Sequence, residues 1–373
     1  MPEHRHGVAF IGAGAVVKHR HLPGLALSGR GAPRAIFDPA EERAQDLAAR
    51  FQIPVVADSL EAAVTADGVD SVVIASPNAR HREAVECAAA HGKHIFCEKP
   101  IAVNLKDARA MCRAAADAGV ILFLGFHHRF SAEHKLVRRI MEAGHLGEVR
   151  AFDSLIGEPM DVVPQGTANY RFDPSAGGGL TLIDVGSHRI DQTIDLLGEV
   201  DEVHAGMASV LSSHNMDDSV VLSLRMKSGA IGTLQWHRFV RAFQSPCTLL
   251  GTKGTACFSA FAVNPYQSAP VALYLESDPA ELPADLAALY RPERWWGEGR
   301  PGWIEFWPAR ENTFQRQYEA FFDAIEHNPP PPVGGEAGYR ALEVVMAAYL
   351  SLRERRPVML PIDPELEIAP PSF

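Results

Sequence analysis

An acid and a base stand at helical spacing in the segment SAGGGLTLIDVGSHRIDQTIDLLG. Asp184 and His188 are four positions apart, and side chains at that spacing lie on one face of an α-helix. His188 could act as a general base, and Asp184 could orient its imidazole or share in a proton relay. Asp191 and Asp195 continue the stripe and could extend this network or face solvent. Such a pair is more often a local helix contact than a catalytic dyad, so it needs a partner elsewhere.

Lys99 is that partner in the sequence, because oxidation of an alcohol needs a group that stabilises the developing alkoxide as well as a base. It stands in the tripeptide Glu98–Lys99–Pro100, directly after a short apolar run. The segment Ser76–Pro77–Asn78 follows another such run. In open α/β sheets, ligands bind outside the carboxyl ends of the strands, so both segments are candidates for a cofactor site.

The cofactor itself is indicated by the segment VAFIGAGAVVKHRHLPGLALSG. Gly12 would allow a tight turn after a strand, and Gly14 would let the backbone approach a pyrophosphate at a helix N-terminus. The third glycine of the pattern is replaced by Val17, so the match is partial. Asp38 ends the next apolar run, where a carboxylate accepts the ribose hydroxyls of NAD and repels the 2′-phosphate of NADP. Asp38 could instead cap a helix that begins at Pro39. The combination favours NAD over NADP.

The elements that would position these residues alternate between short apolar runs and helical periodicity. Strands are predicted at Val8–Ile11, Arg34–Phe37, Val55–Val56, Ser71–Ala75, His94–Cys97 and Ile121–Gly125, and helices at Pro39–Phe51, His81–His91 and Leu105–Ala118. This alternation is typical of a parallel sheet covered on both faces. We predict a Rossmann dinucleotide-binding domain over residues 1–126.

The second part of the chain has a different pattern, in which consecutive strands are joined by short turns. Strands are predicted over the segment GEVRAFDSLIG (147–157) and at Val203–Leu211, Ser219–Met226, Ala230–Trp236, Thr248–Leu250 and Gly254–Phe258. Helices are predicted at Glu133–Ala143, Leu180–Leu197, Thr313–His327 and Glu336–Arg355. Residues 264–308 are rich in Pro, Trp and Gly, and an irregular loop is predicted there. We predict an α/β domain over 127–373, with a large, open and mostly antiparallel sheet that binds substrate and pairs subunits.

Composition limits the class of protein. The chain has 373 residues and a formal net charge of −11, which disfavours nucleic acid or an anionic membrane as the main partner. The five cysteines are scattered and include no CxxC pair, and no targeting segment or membrane-length apolar stretch is present. A cytoplasmic setting is therefore expected.

The 16 histidines do not form a recognisable metal pattern. His4 and His6, like His19 and His21, lack cysteines or carboxylates at metal-site spacing. Adjacent side chains such as His127 and His128 are expected to point to different sides. No metal site is predicted.

Several of these segments occur together in one known family. The Gly12–Ala13–Gly14 turn, Pro77–Asn78, Glu98–Lys99–Pro100, GFHHRF and AGGGLTLIDVGSHRIDQ follow one another in the order found there. The chain thus resembles the glucose–fructose oxidoreductase / inositol dehydrogenase (Gfo/Idh/MocA) family. The resemblance is strong to about His188, and beyond that it depends on the strand pattern and the segment GYRALEVVMAAYLS.

This resemblance implies roles for individual residues. Lys99 matches the lysine that binds the reacting hydroxyl, Asp184 the motif aspartate, and His188 the histidine that transfers the proton. Cofactor contacts are expected from Gly12, Gly14, Ala15, Val16, Asp38, Ser76, Pro77, Asn78, His81, Glu98 and Lys99. Substrate contacts are expected from Lys99, His127, Arg129, Tyr170, Arg171, Asp184, His188 and Trp236.

Some positions depart from the family pattern or allow two interpretations. His127 and His128 replace the residues that usually precede the Arg-Phe pair, and either ring could contact substrate or pack in the core. Trp236 could face the pocket, although burial or a subunit interface is the more frequent role. The Trp-rich segment 290–308 could be a lid over the pocket or a strap at an interface.

The function that these residues favour is reversible oxidation of a ring hydroxyl on a sugar, glycoside or cyclitol. One alternative is a redox-neutral glycosidase that oxidises, eliminates and reduces its substrate again. Another is a catalytically silent NAD-binding regulator, which the presence of Lys99, Asp184 and His188 disfavours. An open sheet with one uncovered face also predicts a homodimer or homotetramer.

Overall fold

The computed structural model describes residues 5–159, 170–210, 215–259, 269–276, 282–289 and 302–373. Within these residues two sheets dominate, and the predicted fold class, a Rossmann-type domain combined with an α/β domain, is confirmed. Among the helices described, none is both long enough and apolar enough to cross a bilayer.

The first sheet is parallel and six-stranded, with the order β3-β2-β1-β4-β5-β6. Its strands are β1 (His6–Ile11), β2 (Gly31–Phe37), β3 (Val55–Val56), β4 (Ser71–Ile74), β5 (His94–Cys97) and β6 (Leu122–Leu124). The helices between them are α1 (Leu22–Ser28), α2 (Glu41–Phe51), α3 (Leu60–Val64), α4 (His81–Ala90) and α5 (Leu105–Asp117). Every residue of β1 and β4 is buried, as expected for central strands covered on both faces.

Helix α5 shows why the local sequence forms these elements. The Asn104 side chain accepts a hydrogen bond from the Asp107 N–H at 2.8 Å and caps the first turn. Leu105, Ala108 and Met111 recur at helical spacing and are buried, so α5 has one apolar face, and its neighbours are α4 and α11.

The second sheet has the order β15-β14-β13-β12-β7-β10-β9-β8-β16, and β11 pairs with β7 beside this path. Its strands are β7 (Val149–Pro159), β8 (Val200–Ala208), β9 (Ser219–Met226), β10 (Ile231–His237), β11 (Phe239–Gln244), β12 (Pro246–Gly251), β13 (Gly254–Ser259), β14 (Val271–Leu275), β15 (Gly302–Phe306) and β16 (Val358–Met359). Among the strands described in this second sheet, only β7 and β10 pair in parallel. The mostly antiparallel sheet that the short turns predicted is therefore present.

The helices of this part of the chain are α6 (Ala132–Glu142), α7 (Pro174–Gly177), α8 (Ser187–Leu197), α9 (Ala284–Ala287), α10 (Thr313–His327) and α11 (Gly335–Glu354). Of these, α6 packs against β13 and α11 against β8 of the second sheet. Strand β9 alternates between buried and exposed or half-buried positions, with Val220, Leu222 and Leu224 inside, which is the pattern of a sheet covered on a single face.

The prediction of an irregular loop over 264–308 was wrong for part of that range. Strand β14 pairs with β13, β15 pairs with β14, and α9 lies between them in the chain. These strands are stabilised by pairing with distant segments, which local composition does not reveal. Residues 264–268, 277–281 and 290–301 lie outside the described residues.

The two closing helices return to the first domain. Tyr318 of α10 hydrogen-bonds to His21 at 3.0 Å, and the rings of Phe321 and Phe96 meet at 5.6 Å. The Leu124 N–H donates to the carbonyl of Val333 at 2.9 Å, just before α11. The boundary at residue 126 stays a prediction, and these contacts show that the C-terminal helices complete the packing of the Rossmann domain.

Candidate functional site

A cavity of about 240 Å³ lies where the carboxyl ends of β4 and β5 meet residues 170–188. Its lining includes many of the predicted site residues: Val16, Ser76, Asn78, His81, Glu98, Lys99, His127, Tyr170, Arg171 and His188. Arg20, Ala75 and Phe314 also line it and were not predicted. Arg20 follows the glycine turn on the same helix, whereas Phe314 comes from α10, which no local signal connects to the site.

The centre of the site is an ion pair between residues 85 positions apart. The Lys99 Nζ atom lies 2.8 Å from Asp184 Oδ1 and donates a second hydrogen bond to the Asp184 carbonyl at 3.1 Å. Burial alone would raise the pKa of Asp184, but the charges of Lys99, Arg171 and Arg238 hold that pKa well below its ordinary value. Asp184 is therefore a permanent anion that fixes the Lys99 ammonium at the cavity.

The second oxygen of Asp184 faces two arginines. Arg171 Nε lies 3.1 Å from Oδ2, and Arg238 Nη2 lies 3.5 Å from it. Arg238 also pairs with Glu158 at 2.8 Å and was not predicted as a site residue. It is almost fully buried, so the position of this cation depends on the fold rather than on any sequence motif.

The helix predicted from about Leu180 to Leu197 is present, and its first part is π-helical around Asp184. Residues Leu182–Gly186 form the π-helical segment, and α8 begins at Ser187. The Asp184 carboxylate bonds to Lys99 and Arg171, whereas Nδ1 of His188 has no hydrogen-bond partner among the described residues. Asp184 therefore positions the lysine rather than the imidazole of His188.

A buried carboxylate supports the start of this segment. Asp217 accepts hydrogen bonds from the backbone N–H groups of Leu180 at 3.0 Å and Leu182 at 2.7 Å. Burial raises the pKa of Asp217 to about 6. Gly179, which precedes Leu180, has a φ of +133°, and an added Cβ would meet the Tyr349 hydroxyl at 2.1 Å. This position therefore requires glycine.

His188 is a buried base next to the ion pair. Burial, with smaller contributions from the charges of His128 and Lys99, lowers its pKa well below the ordinary value. The imidazole is therefore neutral near pH 7, which is the form that accepts a proton.

His127 and His128 both lie against His188, which corrects the expectation that adjacent side chains would diverge. The ring centroids of His127 and His188 are 4.8 Å apart, and those of His128 and His188 are 4.3 Å apart. The turn over residues 127–130 is a 3-10 helix, which brings consecutive rings to the same region. Burial lowers the pKa of His127 to about 4.

The glycine turn has the shape that a dinucleotide requires. Gly12 has a φ of +103°, and an added Cβ would lie 2.7 Å from the carbonyl oxygen of Ala75. A Cβ on Gly14 would meet no atom within 4 Å, so the backbone there faces open space. The Ser76 hydroxyl is buried at the cavity and bonds to none of the described residues. These features fit a bound NAD pyrophosphate and nicotinamide.

Asp38 does not cap the helix that follows, since α2 begins at Glu41 after the N-cap residue Ala40, and contact of Asp38 with ribose stays a prediction. Its carboxylate accepts the Ala13 N–H at 2.8 Å and the Ala40 N–H at 2.9 Å. It thereby ties the glycine turn to the start of the second helix, and a carboxylate retains further acceptor positions for ribose hydroxyls. Ala15 follows in the turn and is exposed.

His81 and Asn78 fix the rim of the cavity. The two ring nitrogens of His81 lie 3.0 Å from the carbonyl oxygens of Pro100 and Ser76. Asn78 donates to the Gly177 carbonyl at 2.8 Å and so connects the Rossmann domain to the glycine-rich segment. Pro77 precedes Asn78 at the end of β4.

Sequence analysis missed a buried chain of polar groups behind Lys99. His21 bonds to Glu98 Oε1 at 2.9 Å and to the Tyr318 hydroxyl at 3.0 Å, and Glu98 Oε2 accepts the Lys99 N–H at 3.1 Å. Burial would raise the pKa of Glu98, but the hydrogen bond and charge of His21 lower it. Glu98 thus orients the Lys99 backbone as well as lining the cavity.

Two predicted substrate residues lie away from the cavity lining. Arg129 pairs with Asp191 at 2.7 Å and Asp195 at 2.8 Å, so its guanidinium joins the 127–130 turn to α8. Trp236 is almost fully buried behind Gly186. Neither side chain lines the cavity, and contact of Arg129 and Trp236 with substrate stays a prediction.

The Trp-rich segment is only partly described. Trp303 and Trp307 are 37% and 39% exposed at the β15 edge of the second sheet, and neither lines the cavity. The residues from 290 to 301, including Trp295 and Trp296, lie outside the described residues.

Comparison with known proteins adds to this geometry. Residues 6–126 match the family described as "Oxidoreductase family, NAD-binding Rossmann fold", and residues 138–360 match its C-terminal alpha/beta domain. Myo-inositol 2-dehydrogenase of Thermotoga maritima is 28% identical over 87% of this chain and 90% of its own length. D-xylose 1-dehydrogenase (NADP(+)) 2 of Haloferax volcanii is 28% identical over 92% of this chain and 95% of its own length. The structure of levoglucosan dehydrogenase in complex with NADH superposes with a TM-score of 0.82, at 22% identity, over 96% of this chain and 99% of the other.

Proposed function

The chain belongs to the Gfo/Idh/MocA family of NAD-binding oxidoreductases, and we propose that it is a dehydrogenase acting on a ring carbinol of a sugar, glycoside or cyclitol. The observation that carries the proposal is that Lys99 and His188 both line the cavity, where Asp184 pairs with Lys99. A cationic donor and a neutral base at one cavity are the two groups that alcohol oxidation requires.

In this mechanism NAD, when bound, supplies the hydride acceptor. Lys99 donates a hydrogen bond to the substrate oxygen and stabilises negative charge that develops there as the proton leaves. His188 accepts that proton. Asp184 holds the Lys99 ammonium by the 2.8 Å ion pair, so Lys99 needs little reorganisation during the reaction.

Substrate recognition is assigned to the residues that line the same cavity. The Arg171 guanidinium lies 4.9 Å from the centre of the Tyr170 ring, which fixes both side chains at the rim. Tyr170, Arg171 and His127 together offer donors, an acceptor and ring surfaces suited to a polar ring with several hydroxyls.

We further propose that NAD is preferred over NADP. The carboxylate of Asp38 is fixed by two backbone N–H groups at the end of β2, where it would accept the ribose hydroxyls and repel a 2′-phosphate. A homodimer or homotetramer formed through the second sheet completes the proposal.

The experiment is titration with NAD and NADP against a panel of free sugars, glycosides and inositols, with reduction followed by absorbance. Reduction of NAD by one group of substrates identifies both cofactor and substrate class. Tight NAD binding without net reduction on the whole panel contradicts the dehydrogenase. Release of an aglycone with unchanged cofactor would then indicate a redox-neutral glycosidase, and its absence a regulator.

A further inference from the structure

Three histidine rings form a compact group at the inner end of the cavity. His127, His128 and His188, which we call the three-histidine cluster, each offer one nitrogen, and these nitrogens lie within 4.8 Å of one another. The cluster combines two residues of the 127–130 turn with one residue of α8, 60 or more positions later. Since the turn and the helix are held together by the ion pairs of Arg129, the cluster is a fixed feature of the fold.

The cluster has the composition of a transition-metal site. Three protein nitrogens with a remaining open position are a common arrangement around Zn²⁺. At Zn–N distances of about 2.0–2.1 Å, tetrahedral ligand nitrogens lie roughly 3.4 Å apart, so side-chain rotations of about 1 Å would close the cluster on an ion. His127 and His188 line the cavity, which provides a path for the ion and a free position for a fourth ligand.

A second observation points to a ligand at the same place. The Nδ1 atom of His188 is buried and forms no hydrogen bond with any of the residues described. A buried polar atom without a partner costs free energy, and an ion held by the ring would give this imidazole an interaction partner. The proposed reaction uses His188 as the base and His127 for substrate recognition, but it does not use the three rings as a group.

We propose that the three-histidine cluster binds a divalent transition-metal ion of the Zn²⁺ class, and that the bound ion inhibits the dehydrogenase. Nitrogen ligands select such ions over Mg²⁺ and Ca²⁺, which prefer oxygen. The site is separate in its chemistry from the nicotinamide cofactor, although both open to the same cavity.

The charges around the cluster set the expected affinity. Lys99 is compensated by Asp184 at 2.8 Å, but Arg189 on α8 is fully buried and donates only to the Ser245 carbonyl among the described residues. Because this cation opposes a second positive charge, we expect it to weaken the binding of the ion. Weakened binding suits reversible inhibition rather than a permanent structural ion.

Inhibition follows from the role proposed for His188, and this step depends on the proposed function. A coordinated nitrogen has no lone pair for the substrate proton. If the ion binds the other nitrogen of the ring, its double charge lowers the basicity of the free one. In either case, His188 can no longer act as a general base near neutral pH.

The experiment is titration of the full chain with Co²⁺, whose visible absorption reports nitrogen coordination without any need for activity. We expect one Co²⁺ per chain and loss of the absorption when Zn²⁺ displaces it. His128→Phe and His127→Phe should each weaken binding by at least about tenfold. His327→Gln, which changes a surface histidine that is 69% exposed, is the matched control and should bind as the parent does.

Zn²⁺ is then added to the dehydrogenase assay, and inhibition is compared with the metal-free rate of each variant. The proposal predicts that His128→Phe shifts the inhibition curve to higher Zn²⁺ by the same factor as the Co²⁺ affinity. Thermal unfolding identifies a cluster variant that has lost its fold. If His128→Phe does not fold, the same comparison is made with His127→Phe. Absent Co²⁺ absorption, or equal affinity in both cluster variants and the parent, overturns the site. Co²⁺ binding in a chain without activity on any substrate would leave the site standing and overturn the dehydrogenase.

Discussion

The imidazole of His188 is neutral because it is buried next to Lys99 and the rings of His127 and His128. Its neutral form is the one that can accept a proton. Desolvation penalises the imidazolium form, and the charge of Lys99 adds to that penalty. Lys99 pairs directly with Asp184 at 2.8 Å. A hydrogen-bond donor and a neutral base are thus held at one cavity, which is the requirement for stabilising an alkoxide and accepting its proton.

His188→Ala should lower kcat for carbinol oxidation by roughly 10²- to 10⁴-fold, the usual contribution of a general base. NADH affinity, measured by fluorescence titration, should change little because the glycine turn is untouched. A variant that loses cofactor binding and turnover to the same extent would contradict the assigned role.

The pH dependence of oxidation follows from the same burial. The base works in its neutral form, so kcat/KM falls only when the pH drops through the pKa of His188. Because burial lowers that pKa well below the ordinary value of 6.5, activity should be retained at pH 6.5 and lost only in more acidic solution. A pH profile whose acidic limb has its midpoint at or above pH 6.5 would assign the proton to another group.

At the scale of elements, the turn between β1 and the helical segment Val17–His21 contains one glycine that the fold requires and one that we assign to cofactor binding. Gly12 is needed by the backbone itself, since its φ is +103° and its surroundings leave no room for a Cβ. Gly14 has room for a Cβ in the protein alone. The two glycines therefore have different reasons to be glycine.

Replacement of each glycine by alanine tests this distinction. Gly12→Ala should lower the unfolding temperature, because strain and the contact with the Ala75 carbonyl oxygen destabilise the folded state. Gly14→Ala should unfold as the parent does and bind NADH at least about tenfold more weakly, because the methyl group occupies the approach of the pyrophosphate. Thermal unfolding and NADH titration measure both properties. Unchanged NADH affinity in Gly14→Ala would show that the pyrophosphate binds elsewhere.

At the scale of the whole molecule, the second sheet has a row of side chains on the face away from the helices. The register aligns Ile231 with Ala151, Ala151 with Leu250, and Tyr274 with Trp303 across neighbouring strands. Ile231, Leu250 and Trp303 are 52%, 44% and 37% exposed. Thr255 lies between Leu250 and Tyr274, and the rest of the row is formed by apolar or aromatic side chains. An exposed row of this kind is typical of a subunit interface.

Leu250→Glu should dissociate the proposed oligomer, because a charge in the centre of this face would have to be desolvated on association. The control is Leu27→Glu, which changes a leucine that is 56% exposed on α1, away from the sheet. Light scattering after size-exclusion chromatography measures the mass of each variant. A parent chain that is monomeric at micromolar concentration would contradict pairing through this face.

The sequence by itself determined the features that depend on near neighbours along the chain. The apolar runs of β1, β4 and β5 predicted the parallel sheet, since hydrophobic period and turn residues are local properties. The positions of Lys99 and Asp38 at strand ends followed from the same pattern, because every parallel strand presents its carboxyl end to one edge. The short turns between β9 and β10 and between β12 and β13 likewise predicted an antiparallel second sheet.

Tertiary structure alone decided which of these residues meet. Asp184 meets Lys99 across 85 positions of the chain, and the distant residue Asp217 holds the start of the helix that carries Asp184. Arg129 bonds to Asp191 and Asp195 of α8, and the rings of both His127 and His128 lie against His188. The burial of these side chains, their ion pairs and the packing of α10 on the first domain all arise from contacts between segments distant in sequence. Local sequence patterns do not predict such contacts.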